Sequence, residues 1–272
     1  MTDDVRDQAM GVDGIVGGPA TPWTARAVLG ALPGLLVAAG VALVALGALA
    51  PGAVVVVLGA LLGLATLMVG SPRRLLGHLS TRPGDPVGEA RLIGLVEAVC
   101  VADGLPPPEL RILEDPAPNL LVLGGGPGDA ALVVTSGLLG LVDRMELEAL
   151  VAHELSHVKR GDLAVAAAAT RALSPLAWAW PAAALAVLRL AGSTREALAD
   201  QAAVRVTRYP PALAGALDKL AAAPSTRPAG LTPAMARLTG PLWCSPLDEA
   251  RPPRPMLGVL DLGERAAALR EL

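Results

Sequence analysis

Phenylalanine is absent from this chain of 272 residues, and tyrosine occurs only once. Lysine is almost as scarce, since Lys159 and Lys219 are the only lysines among 22 basic residues. The composition favours alanine, glycine, proline and arginine instead, which is typical of a bacterial genome rich in guanine and cytosine. We therefore expect a bacterial source, with enough chain for one good-sized domain and a membrane anchor.

Cysteine is scarce, and the chain has no excess of positive charge. Cys100 and Cys244 are the only cysteines, and their wide separation matches no metal-binding spacing. We expect two free thiols in a reducing compartment. The formal net charge is −3, which does not favour nucleic acid as a partner because a nucleic-acid-binding domain carries a basic patch.

Charged residues are absent between Arg26 and Arg73, where the sequence is almost wholly apolar. One bilayer span requires about 20 apolar residues, so this run has room for two spans with a turn at Pro51-Gly52. We predict a transmembrane hairpin of two helices over residues 25–71. The polar, glycine-rich residues 1–24 are predicted to form a flexible tail.

Arginines flank the predicted hairpin on both sides, whereas its loop is uncharged. Arg26 precedes the first span, and Arg73, Arg74 and Arg82 follow the second. Positive charge favours the cytoplasmic side of a membrane. The sequence thus predicts a multi-pass protein of the cell (inner or plasma) membrane, with the lipid bilayer as a partner and the remaining chain in the cytoplasm.

Two pairs of glycines in the apolar run have the spacing of close helix contacts. Gly30 and Gly34 form one pair, and Gly59 and Gly63 form the other. Small residues four apart allow membrane helices to approach closely. Ordinary helical glycine without a packing role is the alternative.

The most informative motif is H-E-x-x-H, formed by His153, Glu154 and His157. Asp143 and Glu146 have the spacing of a capping box that would begin a helix. On that helix, residues four apart share one face, so both imidazoles reach one metal ion. This pattern is typical of a zinc peptidase in which the glutamate is the general base.

A catalytic zinc needs a third protein ligand and one open position for water. Glu196 and Asp200 lie four apart in a second helical pattern further along the chain. Glu196 could bind the zinc ion, and Asp200 could hydrogen-bond an imidazole behind it. Alternatively, Ser193 and Glu196 form a second capping box, and the local sequence leaves both interpretations open.

The combination of H-E-L-S-H with a later E-x-x-A-D resembles the HtpX-like membrane zinc metallopeptidases, relatives of the CAAX prenyl endopeptidases. Val134–Leu139 resembles the segment by which the family's chain enters the motif helix. Pro118-Asn119 resembles the start of the family's Pro-Asn-Ala-Phe segment. Glu264–Leu269 resembles the family's C-terminal Glu-Arg ending. The similarity runs from about residue 27 to the end.

The chain departs from this family at two places. Leu120-Leu121 replaces the Ala-Phe that follows the asparagine, and the His-Pro before the C-terminal Glu-Arg is missing. Both departures concern substrate positioning and leave the metal motif complete.

The resemblance implies a mainly helical fold with a small β-sheet, an α+β zincin of the gluzincin type. It implies one Zn²⁺ per chain with Glu196 as the third ligand. The zinc metallopeptidase domain would span residues 72–272, with an apolar helical hairpin inserted at residues 163–191. That insert must return to the same side of a membrane, because His153 and Glu196 share one ion.

Short apolar runs ahead of the motif helix predict strands at residues 110–113, 120–123 and 131–135. We predict that the last of these has a free edge that pairs with an extended peptide substrate. Its residues are Ala131, Leu132, Val133, Val134 and Thr135. The proline-rich residues 224–256 are predicted to be an extended wrap or loop.

These features predict a membrane-anchored zinc endopeptidase whose partners are proteins or peptides. By resemblance, its substrates are membrane or misfolded proteins in quality control. Three alternatives stay open: a non-enzymatic membrane scaffold with a vestigial metal site, a processing peptidase for lipid-modified peptides, and an intramembrane metalloprotease. The intact general base Glu154 disfavours the scaffold, because a vestigial site has no need of a base. The charged residues on the motif helix disfavour the intramembrane enzyme, because they suit a helix outside the membrane better.

Overall fold

In a computed structural model, the chain is described over residues 22–68, 76–124, 126–161, 195–248 and 261–272. The helices are α1 (Pro22–Ala45), α2 (Leu49–Met68), α3 (Ala90–Asp103), α4 (Ser136–Leu141), α5 (Arg144–Arg160), α6 (195–207), α7 (Pro210–Ala222), α8 (Pro233–Thr239) and α9 (Leu262–Arg270). The strands are β1 (Thr81–Pro83), β2 (Glu109–Leu113), β3 (Leu120–Leu123) and β4 (Ala131–Thr135). The predicted α+β class is confirmed, whereas the predicted insert at 163–191 lies outside the described residues.

Helices α1 and α2 form an antiparallel hairpin joined by a short turn. A Cβ atom on Gly40 would meet the backbone oxygen of Gly52 at 2.8 Å, and one on Gly59 would meet Val37 at 3.0 Å. Of the predicted packing glycines, Gly59 therefore makes a close contact, whereas Gly34 faces open space. Within the described parts of the chain, no helix combines the length and the apolarity needed to cross a membrane.

The four strands form one mixed sheet in the order β1-β2-β4-β3. β4 pairs in parallel with β2 and antiparallel with β3. The predicted free edge of Ala131–Thr135 is therefore wrong, because both edges of this buried strand are occupied. The apolar sequence of β4 is equally compatible with a central strand. Its pairing with β2 joins separate segments of the chain, so no pattern in the local sequence predicts it. The edge of the sheet that lies next to α5 is formed by β3.

Helix α5 runs through the core, and its ends are set by its sequence. Asp143 accepts a hydrogen bond from the backbone of Glu146, whose side chain accepts one from the backbone of Asp143. Gly161 ends the helix at φ 74°, a left-handed conformation that glycine adopts readily. The predicted capping box is confirmed, and every residue from 149 to 158 is buried.

The proline-rich stretch is not extended throughout, contrary to prediction. Helix α8 begins after Thr232, whose hydroxyl accepts a hydrogen bond from the backbone of Met235. Pro233 occupies the first turn, where proline is tolerated because its missing N–H has no intrahelical partner there. A short 3₁₀ turn at Gly240–Leu242 follows, and residues 249–260 lie outside the described residues.

The capping box should stabilise the helix that carries the site. We predict that Asp143→Ala lowers the free energy of unfolding by about 1 kcal/mol, the usual cost of losing an N-cap side chain. Urea denaturation followed by circular dichroism measures this. Asp143→Asn should retain most of the stability because asparagine also caps well, and an Asp143→Ala protein as stable as wild type would contradict the prediction.

Candidate metal centre and active site

Helix α5 presents His153, Glu154 and His157 to the interior of the domain. The two imidazole centroids lie 5.1 Å apart with their planes perpendicular. All three side chains are buried, and His153 has no exposed surface (0%). Burial of polar rings is unfavourable unless they find partners, so this face of α5 requires groups from elsewhere in the fold.

Helix α6 supplies the nearest of these groups, the carboxylate of Glu196. Its Oε2 lies 3.2 Å from Nε2 of His153, and its Oε1 lies 3.7 Å from Nε2 of His157. Neighbouring ligand atoms of a tetrahedral zinc lie about 3.4 Å apart when each bond is near 2.0–2.1 Å. The spacing of these three side chains therefore fits one zinc-sized ion.

The hydrogen-bonding of His153 supports the same fit. Within the described residues, neither of its ring nitrogens makes an aligned hydrogen bond, although carboxylate oxygens of Glu196 and Asp200 lie 3.2 and 2.9 Å away. At Nε2, a close but unaligned carboxylate oxygen of Glu196 is expected if the lone pairs of both atoms point at a third atom. A cation bound by Nε2 would satisfy this nitrogen and leave the opposite N–H for Asp200.

Asp200 lies behind His153 and is itself held by Arg265 of α9. Arg265 donates from Nε to Oδ2 at 2.8 Å and from Nη2 to Oδ1 at 2.6 Å. Its Nη1 also lies 3.4 Å from Oε2 of Glu196. Asp200 thus lies against the imidazole of His153, and the arginine fixes the orientation of its carboxylate.

The charges around the imidazoles favour a cation. Burial alone would lower the pKa of His153, but Asp200 and Glu196 raise that pKa to about 9. Burial alone would raise the pKa of Glu196, but His153, Arg195 and Arg265 outweigh it and hold the pKa well below its usual value. Glu196 therefore remains a carboxylate at neutral pH.

Glu154 points to the other side of His153, towards the edge of the sheet. Its Oε2 accepts a hydrogen bond from the backbone N–H of Val122 in β3 at 3.0 Å. Burial raises the pKa of Glu154 to about 7. A carboxyl group that titrates near neutral pH is well suited to accept a proton and return it.

Two residues at the site were not predicted from the sequence. The Glu264-Arg265 ending resembled the family, but nothing local indicated that Arg265 binds Asp200. Cys244 matched no metal spacing, yet its sulfur, one nitrogen of His153 and one oxygen of Glu154 lie within 4.8 Å of one another. Burial raises the pKa of the Cys244 thiol well above its usual value. Both cysteines are free, as predicted.

Comparison with known proteins identifies the family. The sequence profile of peptidase family M48 matches residues 86–243, more than half of the chain. The chain belongs to peptidase family M48. This assignment confirms the resemblance drawn from H-E-L-S-H and E-x-x-A-D, and metallopeptidase chemistry is the activity of the family.

Several curated relatives carry the name "Protease HtpX homolog". The one from Tropheryma whipplei (strain Twist) is 36% identical over 162 residues, which cover 48% of this chain and 56% of the relative. The one from Thermococcus kodakarensis is 32% identical over 190 residues, which cover 58% of this chain and 66% of the relative. The chain spans about half the length of the curated relatives that it matches.

The two acidic residues of α6 should differ in their effect on metal binding. We predict that Glu196→Ala abolishes stoichiometric zinc binding because only two ligands remain. Asp200→Ala should keep the ion but weaken its affinity by roughly 10–100-fold, the usual effect of removing a partner of a ligand. Chelator competition and elemental analysis measure both effects.

Glu148→Ala is the matched control, since Glu148 lies on α5 but outside the site. It should bind zinc as wild type does. Unchanged zinc stoichiometry in Glu196→Ala after mild chelation would instead favour the capping role of this glutamate.

Proposed function

We propose that the protein is a zinc-dependent endopeptidase in which His153, His157 and Glu196 hold one Zn²⁺. The observation that carries this proposal is the convergence of two imidazoles and a carboxylate, with Glu154 beside them but outside the ligand set. Two histidines and a glutamate form a known catalytic zinc set. The HtpX proteases to which the chain is similar support the same activity.

Each side chain has a defined part in hydrolysis. A zinc ion held by the three ligands supplies Lewis acidity to a water molecule and to the scissile carbonyl. Glu154 takes a proton from the attacking water and returns it to the leaving amine. Val122 orients the Glu154 carboxylate through its N–H, while Asp200 and Arg265 keep His153 directed at the ion.

We further propose that the hairpin of α1 and α2 attaches the protein to the cell membrane, with the catalytic domain in the cytoplasm. Among the described residues, sixteen large apolar side chains are exposed, and eleven of them lie on this hairpin. An apolar surface of this extent marks an interaction site. Membrane or misfolded proteins are the proposed substrates, in protein quality control.

Replacement of the general base should separate catalysis from metal binding. We predict that Glu154→Gln retains one zinc per chain but loses hydrolysis of an unfolded protein such as casein. General base catalysis contributes roughly 10²–10⁴-fold, so the variant should keep at most about a hundredth of the wild-type rate.

Glu148→Gln, on the same helix, is the control and should retain full activity. Substantial hydrolysis by Glu154→Gln would reject the base assignment. A wild-type protein that binds zinc but cleaves no protein substrate would support the alternative of a scaffold with a vestigial site.

Membrane attachment predicts the behaviour of the full chain on cell fractionation. It should remain in the membrane fraction after alkaline carbonate extraction. Val57→Arg with Leu61→Arg should release part of it, because an arginine within a bilayer costs about 2.5–3.5 kcal/mol. Val87→Arg with Val101→Arg, at exposed apolar positions of the domain, should release none. Recovery of the wild-type chain in the soluble fraction would contradict the proposal.

A further inference from the structure

A surface cleft of about 630 Å³ lies where three helices end. It is bounded by the last turns of α3 and α5 and by the C-terminal half of α6. Of the described residues that line it, none is a proposed metal ligand. The whole chain carries a net charge of −3, yet this cleft concentrates positive charge. Four of its side chains are cationic, against a single carboxylate: Lys159, Arg160, Arg205 and Arg208, with Asp103.

Two of these arginines are unpaired within the described part of the chain. Arg205 and Arg208 are exposed, and neither guanidinium group forms an ion pair or a hydrogen bond there. Asp103 is already occupied, since its Oδ1 lies 2.5 Å from Nζ of Lys159. A guanidinium group offers five N–H donors in a planar fork that matches the oxygens of a phosphate. The cleft thus presents two cationic groups that are free to bind an anion.

The backbone of Arg208 is an independent sign that its side chain serves the cleft. Its φ is 55°, and among the described residues it is the one non-glycine residue with a positive φ. This left-handed conformation is unfavourable for a residue with a Cβ atom. Helices α3 and α5 end with Gly104 and Gly161 in the same conformation, as is common. An arginine in this position after α6 is explained if its side chain binds a ligand.

The surroundings of the cleft favour the headgroup of a membrane lipid over a soluble anion. Tyr209, the only tyrosine of the chain, follows Arg208 and is 48% exposed. Tyrosine beside basic residues is typical of the zone where a protein meets lipid headgroups. In the sequence, the predicted apolar insert at 163–191 begins two residues after Gly161, at the same end of α5.

We propose that this cleft binds the phosphate of an anionic phospholipid, with Arg205 and Arg208 as donors. The inference extends the proposed membrane attachment and requires neither the metal ion nor hydrolysis. A bound lipid would hold the C-terminal end of α5, the helix that carries both histidines, against the membrane surface. A zwitterionic lipid also carries a phosphate, but its headgroup adds a cation that the arginines repel. The cleft should therefore prefer lipids with a net negative charge.

Lipid titration of the full chain in mixed micelles tests the site. The protein is purified in a nonionic detergent, and phosphatidylglycerol or phosphatidylcholine with the same acyl chains is added. Native mass spectrometry then counts the lipids on each chain. Wild type should bind one phosphatidylglycerol about 30-fold more tightly than phosphatidylcholine, since each of the two arginines near an anionic headgroup contributes about 1 kcal/mol. Arg205→Ala with Arg208→Ala should lose this preference. Wild type without the preference would overturn the proposal.

Arg91→Ala with Arg144→Ala is the matched control for the loss of charge. Both arginines are exposed and lie in the first turns of α3 and α5, at the ends opposite the cleft. This variant should keep the wild-type preference. An equal loss in both double variants would show a general effect of net charge and overturn the cleft as the site. Full retention of the preference in Arg205→Ala with Arg208→Ala would overturn it too.

Arg208→Gly separates a lost ligand from a damaged fold. Glycine adopts the left-handed conformation readily, so the midpoint of thermal unfolding in the same detergent should rise by about 2–4 °C. The preference for phosphatidylglycerol should nevertheless fall. A more stable variant that keeps the full preference would overturn the role of Arg208.

Competition identifies the source of the anion. Inorganic phosphate or a polyglutamate peptide, at the same molar concentration as the lipid, should not displace phosphatidylglycerol. Displacement by phosphate would indicate a site for soluble anions, and displacement by the peptide would indicate an acidic protein partner. Either result would overturn the lipid assignment.

Membrane attachment by the hairpin can fail separately from the lipid site. A wild-type chain that alkaline carbonate extracts, but that still selects phosphatidylglycerol in micelles, would reject the hairpin anchor and support the cleft. A chain that resists extraction without any lipid preference would support the anchor and reject the cleft.

Discussion

The buried ion pair between Asp200 and Arg265 is the interaction on which the site depends. It joins α6 to α9, and through His153 it also reaches α5. Removal of one partner from a buried pair typically costs 3–5 kcal/mol, because the other charge is left unpaired. The C-terminal helix therefore does more than complete the core, since its arginine sets the orientation of the carboxylate that faces the imidazole.

The metal centre is built from two helices separated by a stretch that lies outside the described residues. His153 and His157 precede that stretch and Glu196 follows it, yet their ligand atoms lie within 4.8 Å of one another. Both ends of the intervening chain are thus held at one place. The edge of β3 adds the third element, because the backbone N–H of Val122 orients the carboxylate of Glu154.

Local signals in the sequence predicted the parts of the site that lie on single helices. The capping box of Asp143 and Glu146 and the shared face of His153 and His157 follow from helical spacing, whereas the local sequence left the roles of Glu196 and Asp200 open. The strand order could not be predicted, because pairing of β2 with β4 depends on contacts between distant segments. Likewise, Arg265 lies 65 positions from Asp200.

The central claim is that one metal ion is shared by α5 and α6. Crystallography of the zinc-loaded chain at the zinc absorption edge tests this most directly. The account predicts a single anomalous peak per chain at bonding distance from Nε2 of His153, Nε2 of His157 and a carboxylate oxygen of Glu196. A peak elsewhere, or one that contacts the histidines while Glu196 caps its own helix, would contradict it.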